Sequence, residues 1–304
     1  VLSSGRSGST LLELLLATHP AVETLGEVML LPALARDPLT RCGCGRPLTA
    51  CAVWAPILTG DRGWGAVCPD PLRERLDAGR TLRPALLPDV LAGRARPGTR
   101  PFAESYAERA LAVMAAARAR LTRPGEVPPL VVDASKDPYR LALLAFSGAA
   151  ELWVVHLVRD PRGYVRSTRR PGDGLARTAR RAARWVTQQG LAERLRRTVP
   201  AGRWTTLRYE DLAVNPGEVL ARLGGRLGLA PAFDPDAFRA QLTHALGGNP
   251  MRGRDDPVRL DERWRHDLPT AHTRVCWAVA GPTARRYGYR WSADPRAGEP
   301  FAGR

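Results

Sequence analysis

The chain opens on Ser3-Ser4-Gly5-Arg6-Ser7-Gly8-Ser9-Thr10, and a largely apolar run, Leu11 to Ala17, follows at once. No other feature limits the fold as much. Small residues ahead of a helix make an anion cradle, because glycines admit a phosphate close to the backbone and the free N–H groups of the helix start point at it. The layout is that of a phosphate-binding loop. It is not the Walker A form, which would place Gly at Ser3 and Lys at Ser9; only Gly8 and Thr10 fit. The loop therefore holds a phosphate-like group by chemistry other than lysine-clamped hydrolysis of a nucleoside triphosphate.

The rest of the chain alternates short apolar runs with helical patterns. Val1 to Ser4 reads as the visible end of a strand that begins upstream, and a helix follows from Ser9 to Thr18, ended by His19-Pro20. Leu130-Val131-Val132 ending in Asp133, Leu152 to Val158 ending in Arg159-Asp160-Pro161, and Trp204 to Leu207 read as buried parallel strands. Helices are expected over 104–121, 161–168, 175–197, 216–227 and 270–287, the fourth framed by Pro216 and Gly228. This alternation predicts an α/β fold of three layers, with a central parallel sheet between helices and the phosphate loop at its edge. Residues 40–100, rich in Gly, Pro, Cys and Arg, read as an irregular insertion in one domain spanning 1–304, a lid or acceptor-binding region.

The formal net charge of +16 points to anionic partners. Yet 45 of the 46 basic residues are arginine, in a chain rich in Ala, Pro and Gly, so much of this charge reflects a compositional bias towards arginine on a solvated surface. The bias singles out Lys136, the one lysine, as a position where a guanidinium does not serve. Arg177, Arg180, Arg181, Arg184, Arg194, Arg196 and Arg197 make one helix very basic, either a solvated face or a wall for an anionic acceptor. No apolar run approaches the ~18 residues of a membrane span. Five cysteines, an odd number, with no visible secretory signal, predict reduced thiols and a cytoplasmic setting.

In parallel α/β sheets ligands bind beyond the C-terminal strand ends. Four polar clusters fall at such ends: the loop at 3–10, Asp133 to Arg140, Arg159 to Ser167, and Arg208-Tyr209. Arg159 and Ser167 either hold one dianion between a guanidinium and a hydroxyl, or are a capping arginine and a surface serine. Cys42, Cys44, Cys51 and Cys68 read as reduced structural thiols, with a small zinc site as the alternative; the C-x-C spacing is unusual for zinc and Cys68 lies far along the chain.

Taken in order, SGRSGSTLL, DASKDPY, LVRDPRGYVRS, LRYEDL and GGNPMRGR (Gly247 to Arg254) resemble the sulfotransferases that use 3′-phosphoadenosine 5′-phosphosulfate. The likeness is to bacterial and carbohydrate-type members, with an SKDP segment similar to that of protein-tyrosine sulfotransferases, and it spans about residues 1 to 290. It implies sulfuryl transfer to a hydroxyl or amine of a small metabolite or sugar, with no metal required; composition and charge add the expectation of no membrane and no nucleic-acid partner. By the same resemblance, Gly5 to Thr10 would hold the 5′-phosphosulfate, with Arg6 on the sulfuryl group, and Arg159 and Ser167 would bind the 3′-phosphate. Tyr209, Asn249 and Arg252 would complete the donor site. Glu27 would be the general base, with Asp133 or Asp137 in reserve, and Lys136 would contact the bridging oxygen or the sulfate. Two other functions remain in view. A P-loop kinase would use Asp133 as a Walker B aspartate but lacks the loop lysine, and a non-catalytic nucleic-acid-binding module would use the charge but leaves the loop unexplained.

Overall fold

The computed structural model describes residues 1–59, 99–248 and 257–291. Five parallel strands carry the fold. β1 (Leu2–Ser3) pairs with β4 (Val154–Val158), which pairs with β5 (Trp204–Arg208). β2 (Val22–Gly26) pairs with β3 (Leu130–Asp133). The Val1 backbone nitrogen donates to the Asp133 carbonyl and spans the seam between the two groups, giving the spatial order β2-β3-β1-β4-β5. The chain leaves β1 towards β2 and leaves β4 towards β5, in opposite directions, so the gap between their C-terminal ends is a topological switch point.

β4 shows why the sheet is covered on both faces. Side chains alternate along a strand. Val155 and Leu157 face α1 (Ser9–Leu16) and the helix Pro216–Leu227, in a cluster with Leu12, Leu15, Leu220 and Leu223. Val154 packs on the opposite face with Ala192, Leu195 and Trp204. His156, on that same face, bonds Gln189 of the helix Leu175–Leu195 at 2.9 Å. The result is three layers, as the alternation predicts. Numbered in chain order, the main helices are α1, α2 (Thr99–Leu121), α3 (Pro138–Ser147), α4 (Pro161–Thr168), α5 (Leu175–Leu195), α6 (Tyr209–Val214), α7 (Pro216–Leu227) and α8 (Thr270–Arg285).

Most elements fall within a few residues of the sequence reading; α4 and α7 match it end to end. β2 does not appear in that reading, because Glu23 interrupts its apolar pattern. Residues 40–59 are described and ordered: an antiparallel bridge joins Arg41 and Pro47, and Cys42, Cys51, Val53 and Trp54 pack with Leu25 and Leu31. The remainder of the expected insertion, 60–98, lies outside the described residues, as do Cys68, Asn249 and Arg252. Among the described residues, no helix is long and apolar enough to cross a membrane.

Candidate functional site

The loop between β1 and α1 is built around Gly8. Its φ of 89° is left-handed, and a Cβ there would lie 2.4 Å from the Tyr209 ring. Glycine is needed on both counts. Among the described residues no side-chain hydrogen bond caps the start of α1. The Ser7 hydroxyl is fully buried and has no hydrogen-bond partner among the described residues. Arg6 has a left-handed backbone, φ 68°, rare for a residue with a side chain. The base of the loop is fixed from below, where the Gln189 side-chain amide donates to Ser4 Oγ at 3.0 Å. These features suit an anion at the helix start.

Arg159, at the end of β4, reaches across the switch point. Its Nη1 donates to the Arg6 carbonyl at 3.0 Å, and its guanidinium lies 4.5 Å from the centre of the Tyr209 ring. The Trp185 indole N–H holds the Arg159 carbonyl at 3.1 Å. Gly163 leaves the room this requires, since a Cβ there would meet Arg159 Nε at 2.9 Å. Thus the loop, Arg159 and Tyr209 form one contiguous group. Ser167 sits in the last turn of α4, where its hydroxyl donates to the Tyr164 carbonyl at 2.9 Å.

The sequence reading misses Asp261. Its carboxylate takes a 3.0 Å contact from Arg159 Nη2 and two bonds from Arg263, with Arg166 at 3.9 Å. Burial alone would raise this carboxyl, but Arg263 and Arg159 hold it well below the usual range. Its backbone N–H donates to the Tyr209 hydroxyl at 3.0 Å. One carboxylate thus occupies a cluster of three arginines.

On the other side of β1, the ends of β2 and β3 bring Glu27 and Lys136 together. Lys136 Nζ donates to Glu27 Oε1 at 2.7 Å, and both side chains are mostly buried. Register explains the meeting. Gly26 pairs with Asp133 after an irregularity in the β2–β3 ladder, and the Ala134 N–H donates to the Gly26 carbonyl at 2.8 Å. Ser135 Oγ then accepts from the Met29 N–H at 3.0 Å, clasping the two loops. Lys136 itself has φ 62°, so the proposed catalytic lysine and Arg6 are the two non-glycine residues with positive φ among those described. Asp133 and Asp137 have other partners. Asp133 binds Arg140 Nε at 2.8 Å, and despite a burial that would raise it, Arg140 and Ser135 keep its carboxyl low. Asp137 caps α3 through the Tyr139 and Arg140 N–H groups.

The Arg208-Tyr209-Glu210-Asp211 segment divides between support and site. Arg208 pairs with Asp211. Glu210 accepts from the Asp160 N–H at 3.0 Å and from the Tyr289 hydroxyl at 2.7 Å, and burial, then the nearby Asp160 carboxylate, push it up to about 7. The basic helix α5 is partly self-neutralised, because Arg177 and Arg181 both bind Asp173.

Known proteins of similar sequence or fold are sulfotransferases. Residues 140–235 match the model of the sulfotransferase family, a stretch holding Arg159, Ser167 and Tyr209. The chain is 29% identical over 168 residues to mouse carbohydrate sulfotransferase 5 (Mus musculus), a match covering 47% of this chain and 42% of that protein. It is 28% identical to human carbohydrate sulfotransferase 6 (Homo sapiens), with the same shares covered. The match therefore spans less than half the length of these curated relatives. The sulfotransferase domain of the Synechococcus PCC 7002 olefin synthase has the same fold, with a TM-score of 0.52 at 22% identity over 96% of this chain and 94% of that one.

Proposed function

We propose that this chain, a member of the sulfotransferase family, moves a sulfuryl group from 3′-phosphoadenosine 5′-phosphosulfate to a hydroxyl or amine of a small metabolite or sugar. The observation that carries this reading is the convergence at one sheet edge of the loop Gly5–Thr10, Arg159 and, on the far side of β1, the Glu27–Lys136 pair. The carbohydrate sulfotransferases among its relatives favour a sugar acceptor.

In this reading the 5′-phosphosulfate lies on the loop, with Arg6 towards the sulfuryl oxygens. The acceptor oxygen attacks sulfur in line. A new S–O bond forms while the bond from sulfur to the 5′-phosphate oxygen breaks, and adenosine 3′,5′-bisphosphate leaves. As in phosphoryl transfer, charge builds on the leaving oxygen and spreads over the equatorial oxygens. Lys136 and Arg6 stabilise that charge. Glu27 accepts the acceptor's proton. Arg159 and Tyr209 bound the nucleotide side, with Arg159 exchanging Asp261 for the 3′-phosphate and Ser167, Asn249 and Arg252 completing the site. Residues 40–100 would shape the acceptor side. We place the chain in a reducing, cytoplasmic setting, in which its cysteines stay as thiols or thiolates. A kinase would need a lysine that this loop lacks. A nucleic-acid-binding module would leave the Glu27–Lys136 pair without a purpose.

Thermal unfolding with adenosine 3′,5′-bisphosphate tests the donor assignment. Saturating nucleotide, at 100 times Kd, stabilises by about 2.7 kcal/mol, a shift of several degrees. No shift at millimolar nucleotide overturns it. A mass-spectrometric screen of sugar and metabolite acceptors with the sulfuryl donor then identifies the product.

A further inference from the structure

Away from the switch point, three cysteines and a histidine converge. The side-chain donor atoms of Cys42, Cys44, Cys51 and His244 all lie within 4.8 Å of one another. His244 Nδ1 is 3.3 Å from Cys51 Sγ and 3.8 Å from Cys42 Sγ, and the Cys44 and Cys51 sulfurs are 3.9 Å apart. A tetrahedral zinc with Zn–S of about 2.3 Å and Zn–N of about 2.05 Å has edges of ~3.8 Å between sulfurs and ~3.6 Å between sulfur and nitrogen. These three separations lie within a few tenths of an ångström of those edges, and the other three donor pairs lie within 4.8 Å. A disulfide needs sulfurs about 2.05 Å apart, far closer than the Cys44–Cys51 pair. A merely hydrophobic thiol cluster gives no reason for an imidazole nitrogen to face two sulfurs.

The backbone is folded to present these donors. The Cys42 N–H donates to the Arg46 carbonyl at 2.8 Å and the Gly45 N–H to the Cys42 carbonyl at 2.9 Å, a tight turn with Gly45 at φ 80°. Gly43 lies so close to the 243–245 segment that a Cβ would meet the Thr243 carbonyl oxygen at 2.8 Å. The Trp54 indole N–H holds the His244 carbonyl at 2.7 Å. His244, about 200 residues away in sequence, is thus locked in place beside the hairpin, the separation to Cys42 being 202 positions.

We propose that Cys42, Cys44, Cys51 and His244 bind one zinc ion as a closed, structural site. Four protein ligands leave no open position, so the ion does no chemistry of its own. Thiolates with one imidazole select zinc over the hard cations. Its effect is to staple the 42–51 lobe to the 243–246 segment. That segment borders the Glu27 loop: the Leu246 carbonyl accepts the Glu27 N–H at 2.8 Å, and the Leu246 N–H donates to the Leu25 carbonyl at 2.8 Å. Gly26 meets Leu246 so closely that a Cβ would lie 2.3 Å from its carbonyl oxygen. The zinc therefore braces the strand end that carries Glu27.

The test measures metal directly and does not depend on any activity. The full chain, purified under reducing, chelator-free conditions, should carry about one zinc per chain, released by a mercurial that titrates the thiols. Chain stripped of metal should take up cobalt(II) with thiolate-to-cobalt charge-transfer absorption and the intense visible bands of tetrahedral coordination. Cys44→Ser and His244→Ala should each weaken cobalt binding by at least ~100-fold. A folded wild-type chain that carries less than about a tenth of an equivalent of zinc and gives no tetrahedral cobalt spectrum overturns the proposal. So does a Cys44–Cys51 disulfide found by mass spectrometry in the reduced preparation. The wild-type cobalt titration decides the question even if both variants fail to fold.

Discussion

Lys136 and Glu27 meet at 2.7 Å across 109 positions of sequence, an ammonium donating directly to a carboxylate at the ends of two paired strands. In the proposed reaction this pair divides the labour: the carboxylate takes the acceptor's proton, and the ammonium turns to the charge forming on the leaving oxygen. Glu27→Gln keeps the shape but removes the basicity. Its kcat should fall by about 10²–10⁴-fold, while binding of adenosine 3′,5′-bisphosphate, followed by calorimetry, stays close to that of the wild type. Lys136→Arg keeps the charge but not the compact head group, and should likewise retain nucleotide affinity and lose turnover. A fully active Glu27→Gln enzyme would place the base elsewhere.

Asp261 and Arg159 make a second testable couple. The carboxylate fills the position among Arg159, Arg166 and Arg263 that an incoming dianion would need. Asp261→Asn removes a competing negative charge and should tighten adenosine 3′,5′-bisphosphate several-fold. Arg159→Ala should weaken that ligand by about tenfold or more, a loss of ~1.5–3 kcal/mol for a charged hydrogen bond, and adenosine 5′-monophosphate much less. Equal losses for the two nucleotides would mean that Arg159 positions the loop through the Arg6 carbonyl rather than reading the 3′-phosphate.

The parts of this picture that sequence makes legible are those written in local pattern. The loop, the apolar run of β4 and the Pro216 and Gly228 boundaries of α7 each carry their signal within a few residues. β2 escapes because Glu23 breaks its apolar run and because its partner, β3, lies more than a hundred residues downstream. Asp261 escapes for a related reason: only the folded chain brings it beside Arg159 and Tyr209. His244 is the clearest case. C-x-C and Cys51 are visible locally, but the fourth donor comes from the far end of the chain, where sequence offers Cys68 instead. Sequence also cannot separate Asp133 and Asp137 from Glu27 as bases, since their commitment to Arg140 and to the α3 N-terminus is a matter of packing.

Gly8 is where loop geometry is least forgiving. Gly8→Ala meets two penalties, a left-handed φ of 89° and a Cβ 2.4 Å from the Tyr209 ring. The backbone term alone costs about 1–3 kcal/mol. Displacing the ring also disturbs its contact with Arg159. The variant should unfold at lower temperature and lose the thermal shift given by adenosine 3′,5′-bisphosphate. Adding Tyr209→Ala should return some stability by removing the clash but should not restore binding. A single Gly8→Ala chain with normal nucleotide affinity would remove the loop from the donor site.

Glu210 sets a stability that changes with pH. Burial, then the neighbouring Asp160 carboxylate, raise it from 4.5 to about 7. Between those values the folded chain holds a proton that the unfolded chain has released. The stabilisation from the neutral carboxyl is therefore full below pH 4.5 and is lost as pH rises through about 7. The raised affinity for that proton corresponds to an upper limit of about 3 kcal/mol. Glu210→Gln is neutral at every pH, and its amide can still accept from the Asp160 N–H while donating to Tyr289. The difference in Tm between this variant and the wild type should grow in the variant's favour from pH 4.5 to 7 and then level off. His156, which burial lowers from 6.5 to about 4, weakens both proteins alike as pH falls between those values, so it cancels in the difference. A Tm difference that stays constant from pH 4 to 8 would mean that the folded chain does not raise the Glu210 carboxyl above its unfolded value, its Asp160 and Tyr289 hydrogen bonds offsetting the burial.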